Sequence, residues 1–368
     1  MKSNLHFSLA LLFVSPFTIA MDAPQKKITP STVATLINPG PAQAVCYSSD
    51  GKSLVITGLH PQVTIWDTGD YTKPQSQFNL PVGAAWSMDL SPNNTQAAIG
   101  FFNGTTQVWD LLKGQLTQTL IDNDAIFSVQ YTPDGASILT ASNNGTCKLW
   151  DLQSNTPKRF DAKSGPVWNA HLNPALPNQF AACSDNNMLT AWDIRKEDTP
   201  LHSIQEEVPV YRVTHNNEGK MLIAAAYQFI LRNKNAELLA LYNTHGRKLS
   251  AGKAVLAGIG DVPLAATAMK FMPGNNRTFI AGLDNTEVVI IDLDDSEKTI
   301  LFNVPTADSS PQSLDIASDG QRLAVGTFPY DTFIFDITNL DDLKKQAKEE
   351  LKAAKEHVKS AAWNCLLQ

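Results

Sequence analysis

The chain is 368 residues long, 43% hydrophobic and 18% charged, the balance of an ordinary folded domain and not of a disordered or fibrous one. Its 36 acidic and 29 basic residues leave a formal net charge of -7, and no stretch gathers Lys and Arg among aromatics. Charge therefore argues against nucleic acid as a partner.

Residues 1–20 carry Lys2, an apolar run from Phe7 to Val14, and Thr18-Ile19-Ala20 with small residues where signal peptidase reads. This is the pattern of an export signal cleaved near Ala20, which predicts a secreted or periplasmic protein. The apolar run is shorter than the ~20 residues that span a bilayer, so no stable membrane insertion is expected after cleavage; a retained N-terminal anchor is the alternative. Residues 21–31 are a polar flexible leader, and Thr32 to Ile37 is a β-prone run.

From Pro41 to Thr338 one unit of about 43 residues recurs. Each ends a strand-like run with a bulky residue followed by Asp or Asn: Trp66-Asp67, Trp109-Asp110, Trp150-Asp151, Trp192-Asp193, Tyr242-Asn243, Ile291-Asp292 and Phe335-Asp336. Within a unit, a first β run reaches a tight turn such as Ser49-Asp50-Gly51, Pro133-Asp134-Gly135 or Ser318-Asp319-Gly320, and a second apolar run follows. Such a small sheet cannot bury both faces alone, so the units must stack, and a ring of them leaves no open end.

Leu149-Trp150-Asp151 and Gln107-Val108-Trp109-Asp110 resemble the signature of the WD-repeat (Gβ-like) family, and the resemblance covers about 300 residues. It implies an all-β fold, a seven-bladed β-propeller of four-stranded antiparallel blades over 32–338, followed by a C-terminal α-helix. The family closes its ring by pairing an N-terminal strand with the last blade, and Thr32 to Ile37 is the candidate. The family's Gly-His pair is absent from every unit, and its turn Asp is Asn103, Asn144 and Asn186 in units two to four. The buried network built on that His and Asp is expected to be missing. In unit five the pair Tyr242-Asn243 gives the more even spacing, while a competing alignment puts the third strand at Phe229 to Arg232.

In this family the first strand of each blade starts at the face where partners dock. The residue four before the end of that strand is Gln43, Trp86, Phe127, Trp168, Tyr211, Thr267 and Gln312, so four consecutive units offer an aromatic. These form a candidate docking rim for a protein or peptide; packing between blades is the other reading. The period lengthens at Tyr227 to Asn235 and Gly258 to Leu264, which are expected as loops on the same face, and the first would bring Phe229 and Arg232 toward a carboxylate-bearing partner. Trp86, Phe127, Trp168, Tyr211, Phe229 and Arg232 are the predicted partner-binding residues.

Asp89, His171 and Asp315 sit one before the end of their first strands; there an inter-blade hydrogen bond is favoured over a shared metal. No Gly-x-Ser-x-Gly elbow, His-Glu-x-x-His pair or Walker loop occurs, so no catalytic residue, cofactor or metal is expected, with a propeller enzyme or small-ligand binder as the alternative. Cys147 and Cys183 are either buried thiols or a bridge between neighbouring units. Residues 339–368 show helical spacing of Leu340, Leu343, Ala347, Leu351, Ala354 and Val358, with Thr338 placed to cap and Asp341 to pair with Lys345. This helix is expected to pack on the propeller's side or to self-associate weakly, with Trp363, Leu366 and Leu367 as anchors.

Overall fold

The computed structural model describes residues 28–366 apart from 82, 162, 208, 226–227, 234, 236, 244–247, 250–264, 307 and 330. The expected export signal and most of the leader therefore lie outside the described residues, as does the loop expected at Gly258 to Leu264.

The chain is an all-β propeller with one C-terminal helix. Seven antiparallel sheets are present among the described residues, six of four strands and one of five. The innermost strands are Ala44–Tyr47, Ala85–Leu90, Ile126–Tyr131, Val167–Leu172, Arg212–His215, Ala266–Phe271 and Ser310–Ile316. Each packs on the inner strand of the next unit, and the last returns to the first. The turn glycines Gly51, Gly135 and Gly320 hold φ at 70°, 71° and 71°, which only Gly adopts freely, and each preceding Asp accepts a backbone N–H two residues on. The strand Ser31–Ile37 pairs antiparallel with Asp331–Asp336 as the outermost strand of unit seven, so the closing strand stands where the resemblance put it.

The expectation of seven equivalent four-stranded blades is corrected at unit five. Its strands are Arg212–His215, Met221–Ala225, Gln228–Asn233, Leu238–Asn243 and Lys248–Leu249. The Tyr242-Asn243 pair thus ends a fourth strand, and the competing alignment at Phe229 to Arg232 marks the third. Register shows what misled the spacing: Met221 faces Asn233 and Leu222 faces Arg232 as Ser137 faces Asp151 and Ile138 faces Trp150 in unit three. Arg232-Asn233 therefore stands where other units carry Trp-Asp. A further correction follows, because Phe229 and Arg232 belong to a strand and not to an extended loop.

The core lies between sheets, where alternate residues of each strand meet those of the next unit. Three of the Trp-Asp indoles donate to nearby side chains, Trp109 to Gln107, Trp150 to Thr140 and Trp192 to Thr190, at 3.0–3.1 Å. In place of the family's His–Asp network, an acid in the link before an inner strand descends onto a base of the following unit's third strand. Asp122 Oδ1 lies 2.8 Å from Lys148 Nζ, and Glu206 accepts from Arg232 Nε and Nη2 at 2.7 and 2.9 Å.

The helix Leu340–Leu366 packs on unit six. Leu340 and Ala347 join the core of units six and seven. Buried Lys344 donates to Thr278 Oγ1 at 2.7 Å and to Asp292 Oδ2 at 3.0 Å, while Lys348 and Lys355 reach Asp295 and Glu297. The helix starts one residue later than a Thr338 cap requires, and Lys345 pairs with Asp342 in place of Asp341. Cys147 and Cys183 are free, buried thiols; burial pushes Cys183 up to about 12.

Candidate functional site at the channel mouth

The inner strands surround a central channel whose mouth holds a cavity of about 230 Å³. Gln43, Trp86, Phe127, Thr267 and Gln312, five of the positions picked out by counting back along the first strands, line it. Trp168 and Tyr211 continue the row. Ring centroids run Trp86–Phe127 6.1 Å, Phe127–Trp168 4.7 Å and Trp168–Tyr211 5.9 Å, alternating edge-on and stacked contacts. Each such pair stabilises by roughly 0.5–1.5 kcal/mol beyond area burial, so the row is held rigid before anything docks.

Phe102 belongs to the same cluster, 4.8 Å from Trp86 and 6.2 Å from Phe127, and remains 45% exposed. Counting along first strands could not find it, because it lies just past the second strand Gln96–Phe101, where the chain turns at the same face. Trp168 keeps a polar tip, its Nε1 donating to Asp185 Oδ1 at 3.3 Å. Arg232 is not brought to this row: its guanidinium is engaged by Glu206, and both side chains are largely buried. Phe229 lies on the same third strand, facing Ala225 and Tyr242 in register.

One level further down the channel stand Cys46, Asp89, Gln130, His171, Thr214, Lys270 and Asp315, each one residue before the end position of its inner strand. Four of them accept a backbone N–H from the next unit: Asp89 from Tyr131 at 2.7 Å, Gln130 from Leu172 at 2.8 Å, His171 from His215 at 3.4 Å, and Asp315 from Tyr47 at 2.7 Å. The inter-blade hydrogen bonds expected for Asp89, His171 and Asp315 are present. Lys270 donates to Asp315. Burial raises the Asp89 carboxyl to about 6 and, helped by the charge of Lys270, lowers His171 to about 4; burial and His171 lower His215 well below the usual range. For Lys270 the pull of burial is outweighed by the carboxylate of Asp315, so its pKa lies above the usual range. Among the described residues no group of three or more His, Cys, Asp or Glu is arranged to hold a metal ion, and no helix is long and apolar enough to cross a membrane.

The WD domain, G-beta repeat family matches residues 114–151, the last strand of unit two and the first three strands of unit three, ending at Trp150-Asp151. The chain is 25% identical to the Periodic tryptophan protein 2 homolog of Dictyostelium discoideum over 321 residues, 83% of this chain and 34% of that one. It is 26% identical to Protein groucho of Drosophila melanogaster over 172 residues, 45% of this chain and 22% of that one. Eukaryotic translation initiation factor 3 subunit I of Aspergillus terreus is 25% identical over 96 residues, 26% of this chain and 28% of that one. The chain thus spans about a third or less of the length of these relatives.

Proposed function

We propose that this chain, a member of the WD-repeat β-propeller family, is a non-catalytic scaffold that docks a protein or peptide on the aromatic face of its propeller. The observation that carries this reading is the continuous aromatic row at the channel mouth. Four neighbouring units present Trp86, Phe127, Trp168 and Tyr211 at one structural level, in mutual contact, with Phe102 exposed beside them. Preformed aromatic anchors of this kind lower the ordering cost of binding an extended segment. Support also comes from a relative whose printed name makes it a subunit of a larger factor.

The same reading takes unit five, despite its extra strand, as the blade that completes a seven-bladed ring over 32–338, with 339–368 as a helical tail. It takes residues 1–20 as an export signal that delivers the protein to the periplasm or outside the cell. N-terminal sequencing of the protein purified from its native source tests that part; a mature chain starting with Met1 would sink it.

For the docking surface, partners are captured from native extract on the chain from residue 21 and on its Trp86/Phe127/Trp168/Tyr211 quadruple Ala variant, each checked for folding by circular dichroism. A protein retained by the unmutated chain and lost from the folded variant is the expected result. Equal retention by both would make the row a packing feature and turn attention to the small-ligand alternative.

A further inference from the structure

The rim has a charge that its aromatics do not explain. Arg212 opens the inner strand of unit five, directly after Tyr211, and its side chain lines the channel-mouth cavity. Nε donates to the Thr267 carbonyl at 2.6 Å and Nη1 to the Tyr211 carbonyl at 3.1 Å, which fixes the guanidinium across the junction of units five and six. Among the described residues the second nitrogen of the fork, Nη2, and the remaining Nη1 hydrogen have no acceptor. Among the described residues no carboxylate pairs with this cation. That sets it apart from the other bases drawn inward, because Lys148 has Asp122, Arg232 has Glu206, Lys270 has Asp315 and Lys344 has Asp292. A guanidinium taken out of bulk water without a counter-charge is unfavourable, and the interaction it lacks is available to a ligand.

Much of the rest of the polar lining is already engaged among the described residues. Ser128 Oγ donates to the Ala170 carbonyl, Ser313 Oγ to the Ala42 carbonyl and Thr267 Oγ1 to the Pro311 carbonyl, while Asn169 bridges Ser128 and the Val213 N–H. One fork edge with few other free donors suits a group carrying one negative charge and two acceptor oxygens. A phosphate, with a charge near -2 and three oxygens to satisfy, would need more donors, and Asp89, which lines the same cavity, would repel it more strongly than a singly charged carboxylate.

We propose that Arg212 anchors a carboxylate carried by the segment that docks on the aromatic rim, so that the partner is a peptide presenting an acidic side chain or its C-terminal carboxylate next to an apolar or aromatic residue. This deepens the docking reading and rests on it. The carboxylate enters the channel mouth and meets the Nη1/Nη2 edge of Arg212, while the neighbouring apolar group lies on the Trp86–Tyr211 row.

The test uses three probes that share a phenyl ring, N-acetylphenylalanine, its isosteric amide and phenyl phosphate, titrated into the full chain by calorimetry with tryptophan fluorescence as a second readout. The acid is expected to bind at least tenfold more tightly than the amide and more tightly than phenyl phosphate. Arg212→Gln removes that preference. If Arg212→Gln fails to fold by circular dichroism, Arg212→Lys decides: it keeps the charge but loses the planar fork, and the preference is expected to fall at least threefold. Trp86→Ala/Trp168→Ala weakens acid and amide alike. The proposal is overturned by equal binding of acid and amide, by a preference that survives substitution of Arg212, by tighter binding of phenyl phosphate, or by no binding of any probe. Indifference to the acid with loss of all binding in the Trp variant overturns the Arg212 assignment and spares the rim; the reverse pattern spares Arg212 and overturns the rim.

Discussion

Two levels of the same seven inner strands, three residues apart, behave in opposite ways. At the lower level Asp89, Gln130, His171 and Asp315 each give an acceptor to the next unit's backbone, and Lys270 closes onto Asp315. At the upper level Trp86, Phe127, Trp168 and Tyr211 touch one another, and just beneath them Arg212 keeps a fork edge without a carboxylate among the described residues. Polar chemistry deep in a channel is thus spent on joining units, whereas the chemistry at the mouth is held rigid and left available. A cluster of titratable side chains near an axis is not by itself a site; what matters is whether its bonds are already made.

The contrast is broken most forcefully from below. Asp315→Ala leaves the Tyr47 N–H without its acceptor and Lys270 without its counter-charge, and is expected to lower unfolding free energy by about 3 kcal/mol in urea titrations. A loss under about 1 kcal/mol would show that water in the channel replaces both interactions. The upper level predicts the opposite division of effects. Trp168→Ala, at a partly exposed position, is expected to weaken the captured partner by about 2 kcal/mol, more than tenfold, with a smaller change in stability. Stability falling as far as affinity would make the two levels alike. Gln130→Ala sharpens the comparison at a neutral position: it removes one acceptor for the Leu172 N–H and is expected to lower stability by about 1 kcal/mol with partner affinity unchanged.

The sequence made the ring legible because its Trp-Asp ends and Asp-Gly turns recur at nearly constant spacing, and both have local causes. It also made the rim legible, since counting back from the strand ends selected Trp86, Phe127, Trp168 and Tyr211 before any contact among them was known. Unit five escaped because Arg232-Asn233 occupies the Trp-Asp position, so the even period pointed ten residues too far along, to Tyr242-Asn243. Arg232 as a ligand group fails for a different reason: its partner Glu206 lies 26 residues away across a unit boundary, and no local pattern announces that pairing. Arg212 is not legible in the sequence because a basic residue beside an aromatic is ordinary there; only the absence of a carboxylate around it in space, among the described residues, marks it out.

The dependence of stability on pH is damped, because the lower level holds groups that oppose one another. His171 falls from its usual 6.5 to about 4 on folding, and His215 falls well below, so the unfolded chain takes up protons first. Their contribution is complete above about pH 6.5 and is lost as the pH drops toward 4. Asp89 rises from 3.8 to about 6, so its contribution is complete below the unfolded value and is lost as the pH climbs through 6. Between these limits acidification weakens the protein through the histidines and strengthens it through Asp89. Urea titrations at pH 7 and pH 5 should therefore show a modest loss for the unmutated chain, a larger loss for Asp89→Asn, and a smaller one for His171→Gln, which still offers an acceptor to the His215 N–H. Superimposable pH responses from all three proteins would mean that the channel is hydrated enough to keep these groups near their ordinary values, and that the lower level is joined by geometry more than by the burial of its charges.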